Sequence, residues 1–196
     1  MEDVIKELKR ITENNILERF TFNLKDLPYH DNYTLDIRRH KSFSKIFTSL
    51  NDKRRDCLYW FSVKNKIDAL NIKGLIENSR LSLRNQKDKR VVPAKNNNLD
   101  SNVIYVGVRK GGCRKYTIIN KRRVPDVLSN IEGRIIQHLG YYTKGTTQGL
   151  QFIHWSNQIN IEIELMVMEF KDFPNDYLYI IEKLYAISLK PLLGSH

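Results

Sequence analysis

Two short runs are dense in β-branched and aromatic residues and bounded by charged or Asn-rich segments: Cys57-Leu58-Tyr59-Trp60-Phe61-Ser62-Val63 and Asn102-Val103-Ile104-Tyr105-Val106-Gly107-Val108. That composition predicts two strands, each carrying one phenol among apolar neighbours. Residues 160–170 alternate, with Ile161, Ile163, Leu165 and Val167 on one side and Glu162, Glu164, Met166 and Met168 on the other, which predicts a third strand with one wetter face. Leu150 to Trp155 is a further strand candidate.

Other segments read at helical spacing. Val4, Ile5, Leu8, Ile11, Ile16, Leu17 and Phe20 predict an amphipathic helix over residues 2–20. Leu27-Pro28 breaks any helix, and Phe43, Ile46, Phe47 and Leu50 predict a shorter one from about Ser42. Leu70, Leu75, Ile76 and Leu83 predict another, followed by a basic surface loop over 84–98, broken at Pro93. Ser129 and Glu132 have capping-box spacing and open a helix that closes at Gly140. On it Arg134 and His138 stand four apart, so they project from one face. A final helix begins near Pro174 and runs to about Leu189, with Glu182 at the border of its buried face.

Composition narrows the class. A hydrophobic fraction of 41% is globular, and 196 residues suit one domain with an appendage. No apolar run of 18 residues and no charged-then-apolar leader are visible, so neither a membrane partner nor secretion is expected. Cys57 and Cys113 are the only cysteines and lack paired metal-ligand spacing, which excludes a thiolate zinc site and points to the cytoplasm.

Charge is unevenly placed. Residues 64–123 hold sixteen Lys and Arg against four acids, a net of +12, which leaves −1 for the rest of the +11 chain. Such a block is the footprint of a polyanion, with affinity that falls steeply as salt rises, or else a solvated solubilising loop. Its candidate nucleic-acid contacts are Arg84, Lys89, Arg90, Lys95, Arg109, Lys110, Arg114 and Lys115. Arg38-Arg39-His40-Lys41 is either a phosphate contact or a solvated loop. Trp155 is either strand-end packing or a base-stacking residue.

In this order the elements resemble the GIY-YIG nuclease family. Cys57-Leu58-Tyr59 resembles its first strand triplet and Tyr105-Val106-Gly107 its second. Arg134 and His138 resemble its helix pair, and Glu182 followed twelve positions later by Gly194 resembles its glutamate and closing asparagine. The resemblance covers about residues 56–194. It departs from the family pattern in Cys57 for glycine, in Gly194 for asparagine, and in the offset of 46 positions from Tyr59 to Tyr105.

The resemblance implies a mixed α/β (α+β) fold in which a small three-stranded antiparallel sheet is flanked by helices. Residues 1–55 would be an N-terminal helical extension, and 56–196 a nuclease domain with an insertion at about 64–101. It implies a metal-dependent endonuclease acting on DNA, double-stranded by expectation, of restriction or defence type, working as a homodimer or by sequential nicks where both strands are cut. A degenerate nucleic-acid-binding protein of the same fold is the alternative. Glu182 would hold Mg²⁺ (or Mn²⁺), whose other ligands are waters and phosphate oxygens. Arg134 would bind the phosphate, Tyr59 would orient or deprotonate the attacking water, His138 would share proton transfer, and Tyr105 would hydrogen-bond phosphate or water. On residue type alone, Glu182 reads as a surface acid, Arg134 as a solvated or salt-bridged arginine and His138 as packing.

Overall fold

A computed structural model describes residues 15–29, 35–86, 89–112, 115–119, 122–127, 130–142, 147–171 and 177–194, together with positions 6, 10 and 13; over 115–119 and 122–127 it describes the backbone alone. In chain order the elements are β1 (Leu17–Asn23), α1 (Ser44–Asp52), β2 (Cys57–Ser62), α2 (Lys66–Arg84), β3 (Arg90–Val91), β4 (Val103–Arg109), β5 (Lys115–Ile119), β6 (Arg122–Val127), α3 (Ile131–Leu139), β7 (Thr147–Gln148), β8 (Glu162–Glu169) and α4 (Leu178–Leu189). The helix start expected near Pro174 lies outside the described residues.

The main sheet has four strands, not three, in the order β1-β8-β2-β4, every neighbour antiparallel. The extra strand is β1, from a stretch expected to be helical. Its alternation is masked in sequence because inward position 18 is a glutamate. In the fold Glu18 accepts from Ser49 Oγ at 2.7 Å and pairs with Lys53, itself only 7% exposed, while Phe20 and Phe22 follow it inward. A satisfied ion pair at a sheet margin thus stands where an apolar residue would have revealed the period of two.

Each face of the sheet is covered. Leu58, Val106 and Met168 pack under Leu178 and Ile181 of α4, whose two buried side chains contribute about 1.5–3 kcal/mol each to holding that helix down. Tyr59 and Phe61 point the other way, into a larger core with Ile72 and Ile76 of α2, Ile135 and Leu139 of α3, Phe152 and Trp155. The Leu150 to Trp155 segment is not a strand: Phe152–His154 is a 3-10 turn, and Trp155 is fully buried with Nε1 donating to Leu150 O at 3.1 Å. Trp155 is therefore packing, and base stacking by it is ruled out.

Local caps set the helix ends. Asn130, not Ser129, is the N-cap of α3, its side chain accepting from the Gly133 N–H, and Gly140 closes that helix at φ 93°. Asn65 caps α2 on the Asp68 N–H at 2.9 Å. The 84–98 segment is not a free surface loop, because Arg80 donates to Val92 O and Pro93 O, and β3 pairs in parallel with β7. The chain's last described residues run along β4: Leu192 and Leu193 N–H bond to Val103 O and Ile104 O at 3.0 Å each, and Gly194 N–H to Ala94 O at 2.8 Å. No helix among the described residues is long and apolar enough to cross a membrane.

Candidate functional site

The two tyrosine strands lie side by side, with Tyr59 opposite Gly107 and Phe61 opposite Tyr105. Opposed residues of an antiparallel pair share a face, so both phenols point toward α3. The Tyr59 ring lies across Gly107, where a Cβ would stand 2.6 Å from the Tyr59 hydroxyl and 2.8 Å from a Tyr105 ring carbon. Only glycine leaves that space.

Arg134 gathers the site. Its Nε donates to Tyr59 Oη at 2.9 Å and one terminal nitrogen to Tyr105 Oη at 3.4 Å. The other terminal nitrogen donates to Gln137 Oε1 at 3.0 Å and Gln148 O at 2.8 Å. Burial works against this charge, but the phenol oxygens outweigh it, and the guanidinium stays protonated. Arg109, at the end of β4, lies near enough to feel it: burial first, and then the Arg134 charge, depress the Arg109 pKa.

His138 stands behind Tyr59. The Leu150 N–H donates to His138 Nδ1 at 3.2 Å, so in the neutral ring the proton sits on Nε2 and is donated to Tyr59 Oη at 3.0 Å. Gly149 permits this approach, since a Cβ there would meet Gln137 O at 2.7 Å. The His138 ring is fully buried, and burial together with Arg134 holds its pKa well below 6.5. In this site it is a neutral donor that fixes Tyr59.

The sign of the resulting pH effect follows from linkage. The folded pKa lies below the unfolded one, so this contribution to stability is complete above about pH 6.5 and is lost as pH falls from there toward the folded value, by at most about 1.4 kcal/mol per pH unit. Melting temperatures of His138→Gln measured from pH 8 to pH 5 are expected to fall less steeply than those of the wild type; parallel curves would place the buried proton elsewhere.

Tyr59 is fully buried, its oxygen accepting from both Arg134 and His138, which leaves its own O–H as the one hydrogen it can give. Burial raises its pKa above the usual phenol value, and Tyr105 and Glu182 raise it further against the opposing effect of Arg134. The resting group is the neutral phenol. Arg134 alone does not make it a base, because desolvation is the larger effect.

Beside this cluster a cavity of about 300 Å³ is lined by Tyr105, Gln148, Glu182, Lys183 and Gly194, among others. Glu182 is half-buried there, on α4. Gly194 has φ 130°, where a side chain is strained, so the backbone itself favours glycine at this departure from the family pattern. Cys57 sits in extended β2, fully buried; burial pushes its thiol up to about 12, so it is an inert core residue.

The basic candidates separate. Arg109 borders the site, and Lys110 Nζ stands 6.0 Å from the Tyr179 ring centre. Arg84, Lys89 and Lys95 are exposed and available to a polyanion. Arg90 is not: it is fully buried and donates to Tyr142 O and to Thr147 Oγ1, a structural role between β3 and β7. Lys115 opens β5, whose backbone alone is described, and Arg114 lies outside the described residues. Arg38 is taken up by Asp36, at 2.6 and 2.7 Å. Sequence reasoning missed Gln148 and Tyr179, which no motif marks and which reach the cavity only through the fold. No family model, curated protein or solved structure matches this chain.

Proposed function

We propose that this chain is a metal-dependent endonuclease of GIY-YIG type that hydrolyses phosphodiester bonds in DNA, in a restriction or defence role. The observation that carries the reading is the single guanidinium, Arg134, hydrogen-bonded to Tyr59 and Tyr105 at the side of a cavity that Glu182 lines. Four of its five N–H groups are already engaged, so to a phosphate the guanidinium would offer its charge and the one remaining N–H, and Arg109 adds a second positive charge, whose burial near Arg134 an anion would relieve.

The donor chemistry suits Mg²⁺: the Glu182 carboxylate would anchor an ion that keeps most of its water, and the cavity has room for on the order of ten waters. When bound, Mg²⁺ or Mn²⁺ supplies charge at the phosphate and an acidified water. Glu182 would then hold the ion, Arg134 and Tyr105 would bind phosphate oxygens, and Tyr59, fixed by His138, would keep the guanidinium aimed and help to orient the attacking water.

The binding-only alternative is favoured by one feature: Gly194 offers no side chain to the cavity wall where the family pattern has asparagine. Incubating purified protein with supercoiled plasmid in Mg²⁺ or Mn²⁺, beside an EDTA control, separates the two. Metal-dependent nicking supports the nuclease; a gel shift that persists in EDTA, with no cutting in either metal, establishes binding alone. Cutting of matched RNA but not DNA would overturn the substrate.

A further inference from the structure

Tyr179 lies one helical turn before Glu182, so the two project from the same face of α4, and both line the cavity. The ring is 56% exposed and packs in neither core cluster, so burial does not account for it. Lys110 Nζ stands over the ring at 6.0 Å, Arg109 is within electrostatic reach of the Tyr179 hydroxyl, and Lys183 lines the same cavity. An ammonium over one face of an aromatic ring leaves the opposite face for another flat group. The surrounding positive charge selects an occupant that carries phosphate.

We propose that Tyr179 is a stacking platform for a nucleobase next to the phosphate held by Arg134 and Tyr105. This rests on the nuclease reading and adds the substrate class: a base can lie on a protein ring only when it is unstacked from its neighbour, so the preferred target carries an unpaired or extruded nucleotide beside the cut. Tyr179 is a positioning residue, one turn from the metal-holding carboxylate. Stacking is indifferent to base identity, so the preference is for strand state, not sequence.

The test is fluorescence anisotropy in EDTA with a labelled single-stranded DNA oligonucleotide and its duplex, run beside the plasmid assay. Alanine substitution at stacking sites weakens binding by about 5- to 150-fold. Tyr179→Ala is expected to lose single-strand affinity within that range with an unchanged melting temperature, Tyr179→Trp and Tyr179→Phe to retain it, and one abasic position in the oligonucleotide to mimic the loss in wild type but add nothing in Tyr179→Ala. If Tyr179→Ala binds as tightly as a wild type that nicks plasmid, the stacking role is overturned and the nuclease stands. If the wild type neither binds oligonucleotide nor cuts plasmid, both fall.

Discussion

Glu182→Gln is expected to reduce plasmid nicking on the order of a thousandfold or more while shifting stability by no more than about 0.5 kcal/mol. The size of the first effect follows from the donor set. Glu182 is the one acid among the described residues lining the cavity, so its loss would take from a bound cation the carboxylate proposed to hold it, and a catalytic metal supplies several kcal/mol of charge stabilisation. The small second effect follows from place: Glu182 is half-buried on α4, which is anchored by Leu178 and Ile181. The measurement is the initial nicking rate at saturating Mg²⁺, with melting of both proteins alongside. Wild-type cutting by Glu182→Gln would remove the carboxylate from the chemistry.

Gly107→Ala is expected to damage stability and activity together. The added methyl would stand 2.6 Å from Tyr59 Oη and 2.8 Å from both Tyr59 Cζ and a Tyr105 ring carbon, so both phenols must move. Overpacking of this kind costs about 1–3 kcal/mol, and at about 2–4 °C per kcal/mol for a chain of this size the melting point drops by roughly 2–12 °C. The displaced Tyr59 hydroxyl also leaves Arg134 and His138, and a shift of about 1 Å in a positioned group costs on the order of a hundredfold in rate. Thermal melting and nicking of the variant check both halves. An unchanged melting point would mean that β2 and β4 separate freely enough to admit the methyl.

Much of the frame is written in short-range patterns of the chain. The strands at Cys57–Ser62, Val103–Arg109 and Glu162–Glu169 announce themselves by β-branched density or strict alternation, both short-range properties of the chain. The same holds for α2, and for α3, whose Gly140 stop is a backbone requirement written in one residue. Arg134 and His138 share a helix face by spacing alone. Where reading failed, a long-range partner had changed a residue's meaning. Glu18 hides β1 because Lys53, 35 positions away, neutralises it, and Arg90 passes for a surface cation because Tyr142 O and Thr147, more than fifty positions away, accept its hydrogens.

By itself the sequence determined which central segments alternate, where α3 stops, and which side chains offer a guanidinium, two phenols and a carboxylate. Only the tertiary structure decided their states. Burial makes Tyr59 a neutral phenol and His138 a neutral donor, because desolvation acts through everything packed around a group and leaves no trace in its neighbours along the chain. The close approach at Gly107 likewise exists only once β2 and β4 pair, and Tyr179 meets the cavity only once α4 lies against the sheet.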